Sequence, residues 1–287
     1  MTEAPGPALV VLAAGKAKRY GGGLKPLAPV GPDGETILDL LGSDAVAAGF
    51  TSIVIVVNPD TGDTIREHVG SAWPGSIDVS FAVQPSARGT VHAALCGVRE
   101  LDGDALFGVA NADDLYGSAA MAILAGHLRD PEAGDALVAF RLDRAVIGES
   151  PVTRGVCETG TDSRLVRIDE RRGVTRRADG TFSTGDDRSP SVLEAATLVS
   201  MNLWGFTPSI VDEFASAMDA STEGEVLLPE VVGELISRPS RPRAVAVLPT
   251  DSRAVGVTHP DDLALVQADV LDQIERGERP RRAWAGQ

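Results

Sequence analysis

The sequence predicts an α/β protein with a doubly wound, mostly parallel sheet, a Rossmann-like arrangement of three α/β/α layers. Three observations predict it. Apolar runs alternate with stretches of helical period through about residue 130, a βαβαβα rhythm. Ser-Ile-Val-Ile-Val-Val at 52–57 is apolar almost throughout, as a strand covered on both faces should be. The first apolar run turns at Ala14 and Gly15 into a glycine-rich basic loop, at the kind of strand end where open α/β sheets bind ligands.

In chain order, residues 8–13 form the first strand. Residues 36–48 form a helix, with Leu38, Leu41, Ala45 and Ala48 on one face and Gly49 ending it. Strand 52–57, a short helix 61–69, strand 77–83, helix 89–100, strand 105–110 and helix 117–128 continue the alternation. After Asp130 the rhythm changes, and 136–142, 152–158 and 165–170 read as strands with no helix between them. The polar stretch 171–189 has no apolar period and is expected to be a mobile loop. Strand 198–206, helix 208–218, short helix 231–236, strand 243–248 and helix 260–274 follow, with a tail expected to fray. The chain reads as one domain, 1–287: a nucleotide-binding half to about 130, a second half from 131 to 275, and the tail 276–287.

The chain has 287 residues, 43% of them hydrophobic, enough for a large core, and a formal net charge of −15. That acidity disfavours a nucleic-acid partner, which calls for a basic face. Two cysteines and four histidines form no disulfide framework or zinc spacing, which points to a reducing cytoplasm. No apolar run approaches the roughly 18 residues of a membrane span, and the N-terminus lacks the pattern of a secretion signal.

Lysine is confined to one place. The chain has three lysines, Lys16, Lys18 and Lys25, and all lie in the loop after the first strand, with Arg19 and Gly21 to Gly23. Freed backbone N–H groups beside ammonium and guanidinium groups suit a polyphosphate. The loop is neither a Walker loop nor a dinucleotide fingerprint, because no helical period begins until about Thr36. A second strand end carries Gln84-Pro85, then Gly89-Thr90. A side-chain amide offers a donor and an acceptor to a nucleobase edge, and Gly89 opens a helix whose N–H groups can face a ligand. A third carries Asn111-Ala112-Asp113-Asp114. Paired acids there can hold Mg²⁺ together with phosphates and water, although one acid alone could simply cap the helix near Gly117.

The stretch from Val11 to Asp39 resembles the signature loop of sugar-1-phosphate nucleotidylyltransferases, the NDP-sugar pyrophosphorylases. The segments beginning at Gln84 and Asn111 resemble later motifs of that family, in family order. The resemblance implies the nucleotide-diphospho-sugar transferase fold, which is GT-A-like, and the reaction of an NTP with a sugar 1-phosphate. It assigns nucleotide contacts to Leu12, Ala13, Ala14, Gly15, Gln84, Pro85, Gly89 and Thr90. Arg19 and Lys25 would hold the triphosphate, and Asp113 would bind Mg²⁺. Thr153 to Glu158 and Ile168 to Arg171 are similar to the family's sugar-binding strands, implying Gly155, Glu170 and Arg171 as acceptor contacts. Arg171 stands where the family has Lys, and Arg172 where it has Pro. Ser200 to Phe206 is similar to a strand flanking the sugar pocket, adding Asn202 and Trp204, and Glu225 matches another sugar-binding acid. Many members carry a second metal-binding Asp near the C-terminus; here Asp251 is the nearest candidate, while Asp261 and Asp262 are expected to cap the last helix. Gln84 leads to an expected preference for UTP or dTTP. The partners implied are a nucleoside triphosphate and a sugar phosphate, with a homo-oligomer left open. CTP with a sugar-alcohol phosphate, or a catalytically silent sensor, are the alternatives.

Overall fold

A computed structural model describes residues 6–15, 24–101, 106–130, 132–185, 191–257 and 261–285. Parallel strands β1 (Ala8–Leu12), β2 (Ser52–Val57), β3 (Asp78–Val83) and β4 (Phe107–Asn111) run side by side in the order 3-2-1-4. The helices between them are α1 (Ile37–Ala48), α2 (Gly62–Ala72) and α3 (Thr90–Val98). Alternation along β1 feeds both layers. Leu9 and Val11 join the core beneath α1 and α2, while Ala8, Val10 and Leu12 join the core beneath α3.

The chain continues through a short strand β5 (Asp114–Leu115), α4 (Ser118–Leu128), β6 (Asp135–Arg141) and a single helical turn α5 (Leu142–Ala145). The hairpin strands β7 (Val152–Thr159) and β8 (Leu165–Arg176) follow, then β9 (Phe182–Ser183), β10 (Val192–Leu193) and the long β11 (Leu198–Phe206). Helices α6 (Ile210–Ala220) and α7 (Leu228–Ser237), strands β12 (Val245–Thr250) and β13 (Val255–Gly256), and helix α8 (Asp262–Glu275) complete the order.

Strand β11 is antiparallel to its neighbours and forks the sheet. One edge pairs with β6 along both halves of the strand, and β6 pairs in parallel with β12. The other edge pairs with β7 at Val199 and Ser200, then with β4 from Trp204 to Phe206. The pairing with β6 is interrupted between Ser200 and Trp204, and there Asn202 takes φ +60°. A gap thus opens between the carboxyl end of β4 and β7.

Two expectations from the sequence are corrected. Residues 171–185 are not simply a loop, and the rest of that stretch, 186–189, lies outside the described residues. Strand β8 runs on to Arg176 and pairs with β9, burying Val174 and Phe182 completely, with the Arg176 guanidinium 4.7 Å above the Phe182 ring. Val174 and Phe182 anchor a stretch of β8 and β9 whose neighbouring side chains are exposed or half-buried, which is why no apolar period shows there. The tail to residue 285 is docked, not frayed. Arg279 is buried and makes two hydrogen bonds, of 2.9 and 2.6 Å, to the carboxylate of Asp44 in α1. Trp284 packs on Trp73, and a Cβ at Gly42 would collide with both indoles. The docked tail covers Ser43 and Asp44 of α1, which buries Asp39 too along with its apolar face. Each has a partner: Asp39 accepts from Thr36, His68 and Trp73, and Ser43 accepts from the Trp284 N–H.

Candidate active site

The gap beside β11 is a cavity of about 300 Å³. Lys25, Asn111, Asp113 and Asp114 line it from the β4 side. Arg154, Gly155 and Glu170 come from the β7–β8 hairpin, and Ser200 to Asn202 from β11. Of the residues chosen from sequence, Lys25, Asp113, Gly155, Glu170 and Asn202 therefore converge on one site. Their spread along the chain is closed by the pairing of Gly155 with both Glu170 and Ser200.

The acid pair is held by a small polar frame. Asn111 donates from Nδ2 to Asp114 at 2.9 Å, and its backbone N–H donates to the Tyr116 hydroxyl at 2.9 Å. That hydroxyl donates in turn to the Met201 carbonyl at 3.0 Å, tying the end of β4 to the irregular part of β11. Gly117, not an acid, occupies the N-cap position of α4, and no side chain caps that helix. Burial pushes the Asp113 carboxyl above its ordinary pKa, opposed by the charge of Lys25. Burial and the neighbouring Asp113 charge push Asp114 up to about 7, opposed by the Asn111 hydrogen bond and by Arg154 and Lys25. A cation entering the cavity would relieve the repulsion between them.

Lys25 opens a single 3₁₀ turn, Lys25–Leu27, in which Pro26 sits where its missing N–H costs nothing. Arg19, with Lys16 and Lys18, lies outside the described residues. The start of their loop is fixed by Asn58 at the end of β2, which donates to the carbonyls of Ala14 and Gly15 at 3.3 Å. Asn58 also accepts from the N–H groups of Asp60 and Thr61, ahead of α2. Asn58 escaped the sequence reading because nothing local marks it; only the parallel pairing of β1 with β2 brings it to the loop.

Several expected contacts serve other roles. Arg171 does not line the cavity; it lies 3.5 Å from Asp169, while Arg154 on the adjoining strand supplies the cation. Arg154 is fixed by hydrogen bonds to the carbonyls of Ala145 and Thr153, and burial lowers its pKa. Trp204 has no exposed surface and is therefore not a ligand contact. Asp251 lines a separate cavity with Arg144, Arg253 and Arg276, so it does not complete a metal site with Asp113. Among the described residues no cluster of three metal-binding side chains occurs. Asp261 occupies the N-cap position of α8 without a side-chain capping bond.

The loop from Gln84 to Thr90 is stitched to the segment before α7. The N–H of Val226 donates to the Arg88 carbonyl, Arg88 donates to the Ser221 carbonyl at 2.7 Å, and Leu228 donates from its N–H to Thr90. Gly89, at φ +90°, lies so close to Val226 that a Cβ would overlap its backbone. Gln84 donates from Nε2 to the Gly89 carbonyl at 3.0 Å, so the donor half of the expected base-reading amide is engaged within the loop. Pro85, next in this loop, and Glu225, beside Val226, line neither cavity described above.

A parallel sheet with a polar cavity at its carboxyl edge, carrying paired acids and flanking cations, defines a phosphate-handling enzyme of the α/β class. The sequence pattern of the nucleotidyl transferase family matches residues 9–251, and the chain belongs to that family; it is a nucleotidyltransferase. The fold matches that of the inositol-1-phosphate CTP transferase from T. maritima at TM-score 0.67 and 14% identity, over 96% of this chain and 98% of that one. It also matches a Bacillus anthracis protein assigned as a glucose-1-phosphate thymidylyltransferase, in complex with sucrose, at TM-score 0.68 and 13% identity, over 92% and 95%. No curated protein matches significantly in sequence. No helix among the described residues is long and apolar enough to cross a membrane.

Proposed function

We propose that the protein transfers a nucleotidyl group from UTP or dTTP to a sugar 1-phosphate, giving an NDP-sugar and pyrophosphate. The observation that carries this reading is the cavity in the fork of β11. It faces two acids with Lys25 and Arg154 and adds Glu170 and Asn202, side chains suited to hydroxyl groups. The acceptor phosphate is already anionic, so the attack needs no general base. What the site must do is align an oxygen of that phosphate with the α-phosphorus and balance the charge on the departing pyrophosphate. Lys25 lies where its charge acts on both acids and can meet phosphate oxygens.

Mg²⁺ is part of the proposal. Two adjacent carboxylates whose ionisation is opposed by burial and mutual repulsion form a donor set for a hard dication that also takes phosphate oxygens and water. Asp113 would hold the ion with Asp114 beside it, and the ion would supply neutralisation of phosphate charge. The base preference rests on Gln84. With its Nε2 turned to Gly89 and only 4% of its surface exposed, Gln84 would offer a base Oε1 alone, an acceptor that suits the N3–H of uracil or thymine and not the bare N3 of cytosine. CTP with a sugar-alcohol phosphate is the second reading, favoured by the fold match to the inositol-1-phosphate CTP transferase. A cytoplasmic location is supported by the buried, unpaired Cys96 and Cys157.

The test is pyrophosphate release across the NTPs with a panel of sugar and polyol phosphates. We expect Asp113→Ala to lower turnover by about 10²–10³-fold, the scale for losing one preorganised electrostatic group, with the melting transition retained. Best use of a purine triphosphate would overturn the base assignment, and no pyrophosphate from any pairing would overturn the reaction.

A further inference from the structure

We infer that Trp204 sets the polarity of the acceptor pocket by fixing which end of the Asn202 amide faces it. The inference rests on the cavity being the acceptor site. Asn202 stands where β11 loses register, in the left-handed region at φ +60°, which L side chains seldom adopt and in which Asn is among the least penalised. Its backbone N–H donates to the Ser200 hydroxyl at 3.1 Å, which stabilises the irregular turn. Its side chain receives the Trp204 indole N–H on Oδ1 at 3.2 Å.

This bond has only one polarity. An indole N–H donates and cannot accept, so the oxygen of the amide must point to Trp204. The NH₂ end is left for the cavity that Asn202 lines, and none of the described residues accepts from it. Trp204 cannot swing away to release the amide, because it is fully buried and stacked on Phe206 at 5.8 Å. The pocket therefore presents two fixed N–H donors at this point. It selects an oxygen with free lone pairs, from a hydroxyl or a phosphate, and rejects a group that can only donate. Trp204 acts as a positioning residue and never touches the ligand.

The experiment is a double-mutant cycle on the full chain, with glucose 1-phosphate as the first acceptor probe and KM measured separately for acceptor and NTP. Trp204→Phe keeps a ring in the core and removes the donor. It should raise the acceptor KM about tenfold, the scale of one hydrogen bond, while leaving the NTP KM unchanged. In an Asn202→Ala background the same change should add almost nothing. Additive effects, or equal changes in both KM values, would overturn the inference and leave a packing role. Asn202→Asp checks the idea without disturbing Trp204. It still accepts from the indole but turns an oxygen to the cavity, so it should weaken acceptor binding more than Asn202→Ala does. An Asp variant that binds as well as wild type refutes the fixed-donor idea even if Trp204→Phe does not fold. If Asn202→Ala leaves the acceptor KM unchanged while turnover continues, this inference fails and the reaction stands. If no sugar or polyol phosphate binds the wild type, both fail.

Discussion

Replacing Asp114 by Asn should make the metal-free protein more stable above neutrality and leave it nearly unchanged near pH 4. The cause is the raised carboxyl. Its pKa climbs from the ordinary 3.8 to about 7 in the folded state, through burial and the Asp113 charge. A carboxyl with a raised folded pKa binds more protons folded than unfolded. Stability therefore falls as pH rises from about 4 to about 7, and the full penalty persists above that. The shift of about three units corresponds to about 4 kcal/mol at pH 8, less whatever water entering the cavity recovers. Asn keeps a carbonyl oxygen to accept from Asn111 Nδ2, so the frame of the site survives. At roughly 2–4 °C per kcal/mol for a domain somewhat smaller than this one, the variant should melt on the order of 10 °C higher than wild type at pH 8. The assay is thermal denaturation in EDTA from pH 4 to 8.5, repeated with Mg²⁺, which should raise the wild-type transition and narrow the gap. A gap that does not change with pH, or an Asn variant less stable at pH 8, would refute the reasoning.

Three further outcomes follow from the same structure. Lys25→Ala should lower turnover more than it raises the NTP KM, because its charge lies beside the acids, whereas Lys16→Ala and Lys18→Ala should each do less; equal effects in steady-state kinetics would indicate only a diffuse field. Gly89→Ala places a Cβ on the Val226 backbone at φ +90°, so it should cost about 2 kcal/mol or more in urea denaturation and weaken NTP binding by parting the loop from the α7 segment. Arg279→Ala leaves the Asp44 carboxylate buried without its fork. It should destabilise the fold by about 3–5 kcal/mol at pH 8 and by less in acid, where Asp44 takes up a proton; denaturant titrations at the two pH values would show the difference.

The alternation of β1 to β4 with α1 to α4 was legible in the sequence because each element carries its own signal. Apolar runs mark the strands, Thr36 and Asp39 form a capping box, and Gly49 ends α1 in the left-handed conformation. The acids at Asp113 and Asp114 were legible for the same local reason: they close a buried strand. What needed the tertiary structure is the choice among residues of one type. Arg154 and Arg171 are cross-strand partners in the same hairpin, and nothing in their neighbours tells which lines the cavity. Asn202 and Trp204 lie two residues apart, yet the irregular turn in β11 turns one to the cavity and the other into the core. The tail reads as polar and loose because Arg279 gains its value only against Asp44, which lies 235 positions earlier in the chain. Periodicity and capping are written in adjacent residues, so the sequence by itself determined the layers and the carboxyl-edge location of the site. Pairing register, buried charge partners and the direction of an amide depend on residues far apart in the chain, and those only the folded structure decided.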